Sequence, residues 1–159
     1  MAKVPKVQEK YVRGLKKSTA DKRKAEIRKR MKGKRSDKPL PGDSKAKTRK
    51  SKYTKRASGI REEIRELTPK MKGKNQKDRF IAAASRATGI PKRILTEVYD
   101  KGLAAWRVGH RPGATASQWA KARIYSFLTG GKTSKTADAS LYLEAKKAIK
   151  EKNGKFRLP

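Results

Sequence analysis

PKRILTEVYDKGLAAWRVGHRPGATASQWAKARIYSFL, residues 91–128, decides the fold class. Pro91 sits where a helix begins, because its fixed φ suits the first turn and its missing N–H is not needed there. Ile94, Leu95, Val98, Tyr99, Gly102, Ala105 and Trp106 follow at spacings of three and four. That period puts them on one face of a helix over about 91–107. Gly109-His110-Arg111-Pro112-Gly113 is a loop. Pro at the second and Gly at the third position of Arg111–Ala114 suit a type II turn. Thr115 or Ser117 then caps a helix over about 115–128, which carries Trp119, Ala122, Arg123, Ser126 and Phe127.

Outward from this stretch the punctuation stays helical. Residues 78–88 place Phe80, Ile81, Ala84 and Ala87 on one face, and Thr88-Gly89 supplies a stop. Thr129 through Lys135 reads as a loop. A last helix, about 137–152, shows Leu141, Ala145, Ala148 and Ile149 before Asn153-Gly154. No segment alternates at period two, so strands are not expected. The expectation is an all-α fold: a small four-helix domain at 74–159. It would bury Phe80, Leu95, Val98, Trp106, Trp119, Phe127 and Leu141 together.

Residues 1–73 read as a basic arm and linker, extended and partly helical. Ser18 and Asp21 open a charged helix that runs to Arg30. Ala25 and Ile27 are almost its only apolar residues, so no apolar stripe marks a packing face. Gly33 through Asp43, with Pro39, Pro41 and Gly42, reads as a linker. Lys45 through Arg56 is a second basic run. Ile60, Ile64 and Leu67 suggest a short helix over 58–67, ended by Pro69.

Composition bounds the function. The chain has 159 residues, 46 of them Lys or Arg and 14 Asp or Glu, for a formal net charge of +32. Charged residues are 38% and apolar residues 34%, against ~25% and ~45–50% in an average domain. Such a chain buries only a small core. The absence of cysteine excludes a disulfide framework and a zinc ribbon or finger. A single histidine, His110, excludes a histidine-rich metal site. No stretch approaches a membrane span, and Met1-Ala2-Lys3-Val4-Pro5 opens no signal peptide. The expected partner is a polyanion or an acidic protein surface. No cofactor, metal or small-molecule substrate is expected.

The basic runs are the strongest functional signal. Lys22, Arg23, Lys24, Arg28, Lys29 and Arg30, with Lys32, Lys34 and Arg35, concentrate charge in a helix and the loop after it. Lys47, Arg49, Lys50, Lys52, Lys55 and Arg56 form the second run. Such runs neutralise phosphates without sequence preference, or lie on an acidic protein surface. Residues 78–98 also have helix-turn-helix spacing, with Lys92 and Arg93 facing DNA from the start of the second helix. A plain helical hairpin uses the same residues for packing, and that is the favoured reading.

Catalytic motifs do not assemble. His110 has no matched carboxylate or nucleophile at a recognisable spacing, so the loop around it is read as fixing the angle between two helices. Gly130-Gly131-Lys132-Thr133 lacks the earlier glycine and the preceding strand of a phosphate loop. Glu62, Glu63 and Glu66 are the only dense acidic group and lie beside basic residues, which does not suit a metal-dependent nuclease. Trp106 and Trp119 are the right residues for stacking bases, but their spacing among apolar neighbours favours a core role.

Tyr99-Asp100-Lys101-Gly102-Leu103-Ala104-Ala105-Trp106 leads into Gly109-His110-Arg111-Pro112-Gly113, then Trp119-Ala120, Ala122-Arg123, Ser126-Phe127-Leu128 and Thr129-Gly130-Gly131-Lys132. This order resembles an uncharacterised basic domain family of large double-stranded DNA viruses of algae and protists, also seen in marine phages. Tyr11-Val12, Asp21 through Lys24 and Ser51 through Lys55 are similar to that family's leading basic region. The resemblance implies no chemistry. It implies a viral protein, and Trp106, Gly109, His110, Arg111, Pro112, Gly113, Trp119 and Arg123 as residues that shape the domain. The expectation is then a non-enzymatic minor capsid or cement protein on the inner side of a virion shell, assembled in host cytoplasm or nucleus. Its arm would contact capsid proteins or packaged double-stranded DNA. The alternative is a nucleic-acid-condensing protein of the virion core, histone-like or using the helix-turn-helix spacing.

Overall fold

A computed structural model describes residues 6–33, 35–46, 52–153 and 155–159. Among them are eight α-helices and no strand. The helices are α1 (Lys17–Met31), α2 (Lys52–Arg56), α3 (Ser58–Leu67), α4 (Gln76–Thr88), α5 (Lys92–Val108), α6 (Ala116–Leu128), α7 (Lys132–Lys135) and α8 (Ala139–Lys152). The fold is therefore all-α. The four helices expected after residue 74 are α4, α5, α6 and α8, and α7 adds one short turn in the Gly/Thr/Ser/Lys loop.

Local chemistry explains the helix ends. The Asn75 side chain accepts from the Asp78 N–H at 2.9 Å and caps α4. Gly89, at φ 79°, ends that helix in the left-handed region that glycine enters without strain. Thr115 is the cap of α6. Its Oγ1 accepts from the Gln118 N–H at 3.2 Å, and its own N–H donates to Gln118 Oε1 at 3.0 Å. This reciprocal box satisfies two N–H groups at once. The Ala114 N–H donates to the Arg111 carbonyl at 3.2 Å and Gly113 has φ 80°, as the type II reading requires.

The chain forms two compact units. One takes the described residues of Met1–Arg49 and Gly102–Trp119, the other those of Lys50–Lys101 and Ala120–Pro159. This division does not follow the composition boundary near residue 73. The reason is that α1 and the 36–43 segment find their partners at 107–113, far along the chain.

The second unit holds most of the apolar core. Ile64, Phe80, Ile94, Leu95, Val98, Ile124, Phe127 and Leu141 are buried there. Phe80 meets Tyr125 edge to face at 6.2 Å, and Phe127 meets Tyr142 the same way at 5.5 Å. These are favoured arrangements of ring quadrupoles. Asp138 is fully buried in this unit and is held by Arg123 through two bonds, at 3.0 and 3.1 Å.

The first unit has a much smaller apolar cluster of Val7, Ile27 and Leu40, with Tyr11 packed against it. Two tryptophans expected in the main core lie here instead. Trp106 is buried, but Trp119 is only half-buried against Tyr11. The common core of seven residues is corrected accordingly: five are buried in the second unit, and the two tryptophans belong to the first.

Candidate functional site: the cationic surface and its buried anchors

Two of the cations read as phosphate ligands are inside the protein. Arg23 is fully buried and Arg30 is 2% exposed. With Ile27 they form the buried stripe of α1, at spacings of four and three. The stripe was invisible as hydrophobicity because its ends are guanidinium groups. A guanidinium carries five N–H donors in a rigid fork, which suits it to clamping several backbone carbonyls.

Arg30 does this with the segment that follows α1. Its Nη2 donates to the Lys38 carbonyl at 2.9 Å, and its Nη1 lies 3.4 Å from the Ser36 and Arg107 carbonyls. Its Nε donates to Glu26 at 3.1 Å. Arg23 donates through Nη1 to the Pro41 carbonyl at 3.0 Å and to Asp43 Oδ1 at 2.7 Å. Its Nη2 donates to the His110 carbonyl at 2.7 Å. Arg23 Nε is buried and has no partner among the described residues. Burial lowers the Arg23 pKa, and Asp43 opposes that shift.

Asp43 is the centre of this network, and no sequence signal had marked it as more than a linker residue. Its Oδ1 accepts from Arg23 and from the Gly113 N–H at 3.2 Å. Its Oδ2 accepts from the Leu40 N–H at 2.9 Å and from His110 Nε2 at 2.7 Å. Burial pushes the Asp43 pKa up, but hydrogen bonds from His110, Arg23 and the Leu40 N–H outweigh it. The carboxyl is held well below its ordinary value of 3.8.

His110 is fully buried and stacked on Trp106, ring centroids 4.2 Å apart and planes within 4°. Its Nδ1 lies 3.0 Å from the Trp106 carbonyl and its Nε2 faces the Asp43 carboxylate. Both neighbours are acceptors, so the site suits a ring protonated on both nitrogens. No ring nitrogen is left for a substrate. Trp106 in turn donates from its indole to the Ala114 carbonyl at 2.8 Å, closing the 106–114 loop. Gly109 is buried, and a Cβ there would come within 3.2 Å of Ile27. Arg111 and Pro112 are half-buried.

The remaining basic residues face outward. Lys22, Lys29, Lys32 and Arg35 are exposed, and Lys24 and Arg28 half-buried. Lys52, Lys55 and Arg56 are exposed on α2, where Lys52 and Arg56 lie 5.1 and 5.9 Å from the Tyr53 ring. Lys34, Lys47, Arg49 and Lys50 lie outside the described residues. Lys92 and Arg93 are exposed at the start of α5, but Arg93 pairs with Glu144 at 2.8 Å and Glu97 at 3.8 Å. The 85–90 turn is knit for packing: Ser85 Oγ donates to the Ile90 carbonyl at 2.6 Å, and Ile90 is fully buried.

Among the described residues no group of three acidic or histidine side chains is placed to hold a metal ion. No described helix is long and apolar enough to cross a membrane. Residues 8–144 match the model of a family of unknown function, DUF5824. Neither a curated protein nor a solved structure matches the chain.

Proposed function

This chain belongs to the DUF5824 family, and we propose that it is a non-enzymatic structural protein of a virus particle. It acts as a minor capsid or cement component on the inner side of the shell. Its exposed cations lie against packaged DNA and acidic faces of capsid proteins. The observation that carries this reading is the division of labour among its basic residues. Arg23 and Arg30 bind the protein's own carbonyls, while Lys22, Lys29, Lys32, Arg35, Lys52 and Lys55 stay exposed on a chain of net charge +32. A surface of that charge gains affinity for a polyanion by releasing its counterions. The virion setting rests on the resemblance carried by residues 89–132.

His110 has no catalytic part in this proposal. A general base must reach the proton it takes, and this ring is buried with both nitrogens engaged.

A second reading, a nucleic-acid-condensing protein of the virion core, is favoured by one observation. Exposed cations also line α8, at Lys146, Lys147, Lys150 and Lys152, so the charge is not confined to an arm. Gentle disruption of purified virions, followed by nuclease in moderate salt, separates the two. Retention with the washed shell supports the capsid role. Release with DNA fragments overturns it in favour of condensation. Absence from the particle defeats both.

A further inference from the structure

We propose that Tyr11 and Trp119 form a stacking platform for an unpaired base of nucleic acid, with Lys10 as its phosphate ligand. This rests on the polyanion-binding part of the function proposed above and names a site for it.

Four observations in the first unit support the platform. Tyr11 is anchored from below, packed on the buried Val7, Ile27 and Leu40. Trp119 lies beside it, with ring centroids 6.1 Å apart and planes at 50°. Both rings are half-buried rather than sealed in a core. Trp106 gives its indole N–H to the Ala114 carbonyl, whereas no described residue accepts from the Trp119 indole.

The charge around the rings is of the right sign. Lys10 Nζ lies 5.1 Å from the Tyr11 centroid and 6.0 Å from that of Trp119. A surface cation over an aromatic face is held weakly. The lysine stem is flexible, so its ammonium can swing from the rings to a backbone phosphate while a base takes its place. Arg111 is close enough to oppose, by its charge, the burial that raises the Tyr11 pKa. An anion arriving here therefore meets positive potential from two elements. Base stacking on such rings is sequence-tolerant, because every base has a π-face. A closed duplex presents no such face to a ring pair, so the platform distinguishes single strands from duplex.

The test measures the affinity of the full chain for an oligothymidylate and for a duplex of equal length, at one salt concentration. Wild type is compared with Trp119→Leu and Trp119→Phe. The expected result is a loss of about 5- to 150-fold for the single strand in Trp119→Leu, the range for removing one stacked base. Duplex affinity stays unchanged, and Trp119→Phe keeps most of the single-strand affinity. Unchanged single-strand affinity in Trp119→Leu overturns the platform and leaves the proposed function standing. An equal loss for both polymers also overturns it, since a platform acts on single strands only. Failure of wild type to bind either polymer at low salt removes the polyanion reading and the platform with it.

Discussion

His110 and Asp43 are 67 residues apart in the chain and 2.7 Å apart in the structure, joined Nε2 to Oδ2. Arg23 meets the other oxygen of the same carboxylate at 2.7 Å. One acidic side chain thus ties α1, the 40–43 segment and the 109–113 loop into a unit with little apolar core. Breaking a buried pair by removing one partner typically costs about 3–5 kcal/mol, because a charge is left uncompensated. Asp43→Asn is expected to cost an amount in that range. Both tryptophans belong to this unit, so denaturant unfolding followed by tryptophan fluorescence reads it directly. A loss below about 1 kcal/mol would show that the network is not what holds α1.

Acid should act through the same carboxylate. Its folded pKa lies below the ordinary value of 3.8, so the unfolded chain binds the proton more readily. The stabilisation is then present above that value and is lost as pH falls below it. The tryptophan-reported melting temperature of wild type should drop between about pH 5 and about pH 2. Asp43→Asn should lack this component. Parallel pH profiles for the two proteins would argue against it.

Core substitutions should separate the two tryptophan-like expectations. Phe127 is fully buried, and Phe127→Ala should cost ~3–5 kcal/mol by thermal or denaturant unfolding followed by circular dichroism. Trp119 is half-buried, so Trp119→Ala should cost clearly less. The reverse order would mean that Trp119 is the deeper anchor.

Glycine positions give a sharper contrast. A Cβ at Gly131 would lie 2.1 Å from Ser126 Oγ, 2.8 Å from Tyr53 Cε1 and 3.0 Å from the Ser126 carbonyl oxygen. Gly131→Ala should destabilise by about 1–3 kcal/mol, as overpacking does. A Cβ at Gly59, within α3, meets nothing within 4 Å. Gly59→Ala should be neutral or stabilise by up to about 1 kcal/mol. Melting temperatures of the two variants test both signs.

The helices from 76 onward were legible because they bury apolar residues at helical spacing. The caps were legible for the same local reason: Asn75, Gly89 and Thr115 act within four residues of their partners. The inner face of α1 was not. Periodicity weighs apolar side chains, and here the inward positions are Arg23, Ile27 and Arg30. Two arginines inside a run of surface cations look like their neighbours until the carbonyls of residues 36–41 and 107–110 are in place. Asp43 was hidden likewise. In a Pro-Gly-Asp stretch it reads as turn chemistry, and its partner His110 is a long-range contact. The outward cations kept the character their composition suggested, while Arg93 turned out to be engaged by Glu144.

The most direct measurement is the affinity of the full chain for duplex DNA as a function of salt. Contact through exposed lysines and arginines predicts a straight, steep fall of log affinity with log salt. For 6–10 phosphate contacts the loss is about 10³–10⁵-fold between about 50 and about 200 mM salt. A flat line, or no binding at the lowest salt, would contradict a role built on the cationic surface.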